Sequence, residues 1–280
     1  MRLLAEMLSY PFLVRAFVGG VLVCVCAALL GVSLVLKRYS MIGDGLSHVS
    51  FGALSIALAA GWAPLAVSVP VVVTAAFFLL RMTEQSRVKS DAAIAMISAS
   101  ALAAGIVATS LTTGLTTDVS SYMFGSILAM SPSDVKLSVV LSAVVLGLFV
   151  FCYNKIFAVT FDESFARATG VRVSLYNVLI AVLTAVTIVL GMQMMGAMLI
   201  SSLIIFPALT SMRVFRSFRA VVWSSALVSA VCFCLGMTAS YYFSTPAGAS
   251  VVLVNLGAFL CFWAAEKVRG RLRAGKGRDR

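Results

Sequence analysis

Residues 12–60 read FLVRAFVGGVLVCVCAALLGVSLVLKRYSMIGDGLSHVSFGALSIALAA, and this stretch decides the fold class. Residues 12–36 carry a single charge, Arg15, and then stop at the basic pair Lys37 and Arg38. At 1.5 Å per residue such a run crosses about 30 Å of hydrocarbon. A cationic pair at its end anchors it on the cytoplasmic side. The chain then re-enters an apolar segment, 44–60, that is shorter and rich in Gly and Ser.

The same pattern recurs outward from this stretch. Apolar segments fall near 12–36, 44–60, 63–81, 92–112, 134–153, 174–192, 194–212, 220–243 and 248–266. The 280 residues are 61% hydrophobic and only 11% charged, with a mean hydropathy of +1.07. A water-soluble domain carries about a quarter charged residues, because its surface must be wetted, so lipid is the solvent that fits. The expected fold is an all-α polytopic membrane bundle of eight or nine transmembrane helices, with nine preferred. One transmembrane domain covers 1–266, and 267–280 forms a basic cytoplasmic tail expected to be disordered and attracted to anionic lipid. The pair 174–192 and 194–212 is nearly continuous, with its break expected between Gly191 and Gly196.

Net charge is +11, yet the cations lie between apolar runs or in the tail and form no basic face interleaved with aromatics. Nucleic-acid binding is therefore not expected. With the N-terminus outside, eighteen of the 21 Lys and Arg fall on the inner side and three (Arg2, Arg15, Lys136) on the outer. The positive-inside rule then places the C-terminus in the cytoplasm. The opening MRLLAEMLSY contains Glu6 and lacks a small-residue cleavage site, so the first apolar run is expected to be retained as a helix. All six Cys lie inside apolar segments and read as small hydrophobes rather than as a zinc or disulfide framework.

Among the ten acidic residues, Asp44 stands out, because the only histidine, His48, follows four residues later. On a helix, positions i and i+4 share a face with Cβ atoms about 5–6 Å apart. A carboxylate and an imidazole so placed can bind one divalent cation together, or pair with each other. Alternatively, Asp44 caps the second segment at the interface, where Asp is favourable. An intramembrane Asp costs roughly 2.5–3.5 kcal/mol on insertion scales and needs water, a partner or an ion. Nitrogen with carboxylate oxygen suits zinc or manganese better than magnesium or potassium. Gly43, Gly45 and Gly52 allow another helix or a permeation path to come close.

Two loops differ from the rest. The outer one, 113–133, could dip back into the protein. The inner one, 154–173, is the long mixed-charge cytoplasmic segment. Within it Asp162, Glu163, Ser164, Phe165, Ala166 and Arg167 can form a short amphipathic helix closed by Gly170 at the C′ position. Such a helix across the membrane face is a natural docking knob, against the plainer reading of a connecting loop. One histidine, with no G-x-S-x-G, H-E-x-x-H or phosphate-binding G-x-x-x-x-G-K-[ST], leaves no constellation for hydrolysis. If transport is active, energy comes from an ion gradient or from another polypeptide. A gradient-driven carrier usually needs several intramembrane ionisable groups, and this chain has about one pair.

KRYSMIGDGLSHVSFGALSIALA (37–59) resembles the signature of the ABC-3 family of metal importers. DVSSYMFGSILAMSPSDV, FDESFARATGVRV, MMGAMLISSLIIFPALTSM and STPAGASVV follow in the family's order, so the resemblance spans about Tyr10 to Trp263. It implies a permease of the vitamin-B12/metal-chelate importer type, in a bacterial cell membrane. Its partners would be a second permease copy, cytoplasmic ABC ATPase subunits, an extracytoplasmic metal-binding lipoprotein and membrane lipid. It further implies that Asp44 and His48 contact the passing metal, which is cargo rather than a bound cofactor. The stretch with Asp162, Glu163, Phe165, Ala166, Arg167 and Gly170 becomes the coupling helix to the ATPase. Ser126 and Ser244 stand where many members carry Asp. The wording is closest to zinc-uptake permeases of Gram-positive bacteria, which ranks zinc first, manganese second and iron third. Rival readings are a gradient-driven metal carrier, a vitamin-B12 or iron-chelate permease, and a scaffold without transport.

Overall fold

A computed structural model describes residues 11–85, 90–112 and 132–276. Its elements are α1 (Pro11–Leu36), α2 (Ser40–Ala59), α3 (Pro64–Gln85), α4 (Ser90–Leu111), α5 (Pro132–Phe151), α6 (Tyr153–Phe161), α7 (Glu163–Ala168), α8 (Val173–Met195), α9 (Ala197–Val214), α10 (Phe218–Phe243) and α11 (Ala247–Lys276). The all-α class expected from hydropathy holds. Among the described residues, eight helices are each long and apolar enough to cross a membrane, and the ninth expected segment is the pair α5 and α6, bent by 69° at Cys152. The residues 113–131, with Ser126, lie outside the described residues, as do Arg87 and Lys89.

The bundle is built around α1, α2, α8 and α9. Helix α1 packs against α10, α9, α5 and α8, while α2 is held by α4 and α3 on one side and α8 and α9 on the other. Glycine lets these helices touch. A Cβ at Gly31 would lie 2.0 Å from the Ile204 carbonyl oxygen of α9. At Gly52 it would lie 2.4 Å from the Ala101 carbonyl oxygen of α4. Close backbone approach replaces the hydrophobic effect, which has no purchase between helices already in lipid. Hydroxyls supplement it, as Ser229 and Ser225 of α10 donate to the carbonyls of Cys24 and Ala28 of α1 at 3.0 and 3.4 Å. Cys24 and Cys26 are wholly buried there, behaving as small hydrophobes.

Hydropathy does not predict which span is central. Helix α2 has the lowest mean hydropathy of the eight spans, 1.3, yet with α1 it is the most buried, at 72%. Polar residues are expensive against lipid, so the least apolar span goes to the middle.

Three expectations are corrected and one is narrowed. The second span starts at Ser40, not 44, because the chain turns tightly after α1. Residues 154–161 of the expected inner loop are helical, as part of α6. The break in the long apolar pair falls on Gly196 alone, whose φ of 86° and ψ of 159° only glycine adopts readily. The helix α11 runs on to Lys276, so most of the tail expected to be disordered continues a helix rich in good helix formers. Near the end of α9, Arg213 meets Glu266 of α11 at 3.3 Å and lies over Phe259, so the C-terminal ends of these two helices share one face of the bundle.

Candidate functional site

Helix α2 positions the acid and the imidazole together. Tyr39 occupies its N-cap without a side-chain hydrogen bond, so Asp44 is not the cap but stands in the second turn, inside the helix. His48 Nε2 lies 3.8 Å from Asp44 Oδ2, the i, i+4 proximity that the spacing requires. Their side chains are 25% and 42% exposed, respectively, on a helix whose other residues from Ile42 to Ser55 are buried. Met41, half exposed, continues the same accessible stripe.

The rest of α2 fixes that stripe in place. Gly43 faces Ile204 of α9, and Gly45 faces Ile94 and Ser98 of α4, each within a distance that excludes a larger residue without movement. Ser47 Oγ donates to the Asp44 carbonyl at 2.7 Å and lies 3.3 Å from Ser201 Oγ of α9. The backbone beneath Asp44 is thereby tied to a neighbouring helix. Among the described residues, no group of three or more His, Cys, Asp or Glu side chains could hold a metal ion. The pair therefore offers one oxygen and one nitrogen donor set on an open face. That suits contact with a cation in passage better than capture, since conduction needs a site the ion can leave.

The second constellation is the short helix α7. Asp162 caps it, its Oδ1 accepting from Phe165 N–H at 2.9 Å. Thr169 is the C-cap and Gly170, at φ 82°, follows at C′, as the sequence pattern required. Val171 N–H bonds to the Ala166 carbonyl and Gly170 N–H to that of Arg167, both near 3.0 Å, the paired closure of a Schellman motif. Ala166 is fully buried against Val159 and Val173, whereas Phe165 is 64% exposed and Asp162 and Arg167 face outward. One side of α7 is thus seated on the bundle and the other presents an aromatic ring between charges. Beside it Phe157, Phe161 and Phe218 form a cluster with ring centroids 5.0–5.8 Å apart.

Glu163 behaves differently from its neighbours. Lys37 Nζ lies 2.6 Å from its Oε1 and 2.5 Å from Asn177 Oδ1, while Asn177 Nδ2 donates to the same Glu163 oxygen at 3.2 Å. The lysine side chain is only 7% exposed. Burial by itself would push the Glu163 carboxyl up, but hydrogen bonds from Lys37 and Asn177, with the charges of Lys37 and Arg167, outweigh it and hold the group below the usual glutamate range. Sequence reading took Lys37 as one more inner-side cation and did not single out Asn177. No local pattern joins residues 126 and 14 positions away from Glu163.

The chain matches a family model, ABC 3 transport family, over residues 9–266. It is 30% identical to a probable iron transport system membrane protein of Haemophilus influenzae, over 96% of this chain and 98% of that one. It is 28% identical to the manganese import system permease protein ScaB of Streptococcus gordonii, over 93% and 94%. The solved structure of PsaBC from Streptococcus pneumoniae in complex with Fab is similar at a TM-score of 0.85, with 28% identity and 94% of both chains covered. The chain is thus a transport subunit rather than an enzyme, and ATP hydrolysis belongs to a separate ATPase subunit. With a family match over nearly its whole length, and the all-helical membrane bundle above, this protein belongs to the ABC 3 transport family as the membrane permease of a metal transporter.

Proposed function

We propose that two copies of this permease line one path across a bacterial cell membrane, and that Asp44 and His48 contact a divalent transition metal moving through it towards the cytoplasm, with zinc as the cargo. A binding lipoprotein delivers the metal from outside. Asp44 supplies charge and His48 a nitrogen lone pair, and zinc stands above manganese and iron(II) in affinity for such nitrogen-containing sites. The α7 helix seats in the ATPase, its exposed Phe165 and flanking charges forming the contact. The C-terminus lies on the same cytoplasmic side.

The observation that carries the reading is the accessible Asp44–His48 pair, 3.8 Å apart, on the least apolar span, which with α1 is the most buried. The manganese and iron names of the relatives favour a second reading, in which one of those metals is the cargo of the same path. Uptake of radioactive zinc, manganese and iron(II) by metal-starved cells carrying the complete transporter separates the two. His48→Ala should abolish uptake of the preferred metal while the permease still purifies with its ATPase. Undiminished accumulation in that variant would refute the role of the pair.

A further inference from the structure

Lys37, Glu163 and Asn177 bring together three parts of the chain that carry different tasks. Lys37 is the residue immediately after α1, Glu163 opens α7, and Asn177 lies in the second turn of α8. The ammonium of Lys37 bridges the other two at 2.6 and 2.5 Å and is almost sealed from solvent. The next residue, Arg38, holds φ 62°, a left-handed conformation that glycine would ordinarily occupy. Tyr39 N–H bonds back to the Leu34 carbonyl and Arg38 N–H to that of Val35, so α1 ends in a Schellman turn with arginine at the strained position. Two residues later α2 begins, and Asp44 stands about 6 Å further along its axis.

A strained residue between a pinned lysine and the start of a functional helix points to a joint rather than a passive turn. The surroundings provide slack for it. A cavity of about 20 Å³, lined by Leu34, Lys37, Ile42, Leu46, Asn177 and Thr184 among others, adjoins the lysine. That is room for one water-sized group. The Thr184 hydroxyl on its wall has no hydrogen-bond partner within the described residues. The junction therefore has a small free volume beside it in an otherwise close-packed region.

We infer that the Glu163–Lys37–Asn177 junction is the positioning link that passes movement of α7 to α2, so that the docking helix and the Asp44–His48 pair change state together. This rests on the proposed roles of α7 and of the pair. Displacing α7 moves Glu163, the carboxylate draws or releases Lys37, and the Arg38 turn converts that shift into a rotation or tilt of α2.

The test uses the complete transporter, with its ATPase and binding protein, in proteoliposomes, and measures metal ions imported per ATP hydrolysed with zinc and manganese as probes. Lys37→Met should leave a complex that hydrolyses ATP but imports about tenfold fewer ions per ATP, within the usual range of coupling between sites. Lys37→Arg, which keeps the charge, should restore most of the ratio, a rescue that a purely packing role would not show. If Lys37→Met fails to assemble, Glu163→Gln decides, with the same ratio expected to fall several-fold. An unchanged ratio in whichever variant assembles overturns the inference.

A second readout is independent of cargo. A Met41→Cys reporter on α2 should change its rate of thiol labelling on ATP addition, over the background of the native cysteines, and should lose that response in the Lys37→Met background. A response that survives overturns the link. Wild-type vesicles that import neither zinc nor manganese would instead count against the transport reading for those metals, while the labelling response still tests the junction.

Discussion

Lys37 Nζ and Glu163 Oε1 lie 2.6 Å apart, although 126 residues of sequence separate them. Because the carboxyl is held below its ordinary range in the fold, its ionised form stabilises the folded state. That contribution is fully present above the unfolded value of about 4.3 and is lost as pH falls through the lower folded value. Thermal unfolding of the purified permease in detergent should therefore show wild type more stable than Glu163→Gln at neutral pH. The gap should close as the pH drops below about 4. Parallel curves at all pH values would show that the pair contributes nothing through charge.

The crossing of α1 and α9 has no room for a methyl group. In Gly31→Ala the new carbon would meet the Ile204 carbonyl at 2.0 Å, and backbone cannot rotate aside as a side chain can. The variant should lose about 1–3 kcal/mol or more through forced helix separation. Gly147→Ala, with nothing within 4 Å of the added carbon, should be neutral or slightly stabilising. Unfolding midpoints of the two variants, measured side by side, check this, and similar losses in both would contradict the close crossing.

Gly196 separates α8 from α9 in a backbone conformation close to glycine-only territory. Gly196→Ala should destabilise the bundle by about 1–3 kcal/mol even without any new contact. Gly147→Ala provides the comparison, since it lies within a helix and nothing stands within 4 Å of its added carbon. Equal tolerance of alanine at both sites would remove strain as the reason for the break.

The Asp162 cap controls α7 and little else. Asp162→Ala removes the acceptor of Phe165 N–H and should weaken this short helix by about 0.5–2 kcal/mol. Co-purification of the ATPase should fall, whereas thermal unfolding of the membrane bundle should stay within error of wild type. Asp162→Asn, which can still accept the bond, should recover the association. A variant that binds the ATPase normally would show that α7 does not need its cap to dock.

Much of the architecture is legible in the chain because it depends on local chemistry. Runs such as 12–36 are membrane helices wherever they sit, since backbone groups in lipid must be satisfied within the segment. Asp162 and Gly170 announce the ends of α7 because caps act over three or four residues. Likewise Asp44 and His48 share a face as soon as α2 is helical.

What the tertiary structure alone decided concerns partners. It made α2, the least apolar span, a central one, and placed Gly31 and Gly52 where backbones cross. It also bent the chain between α5 and α6 and brought Lys37, Glu163 and Asn177 into one junction. Hydropathy measures each segment against lipid and is blind to which helix it will touch. Contacts between residues far apart in sequence arise only when small residues let helices close upon one another.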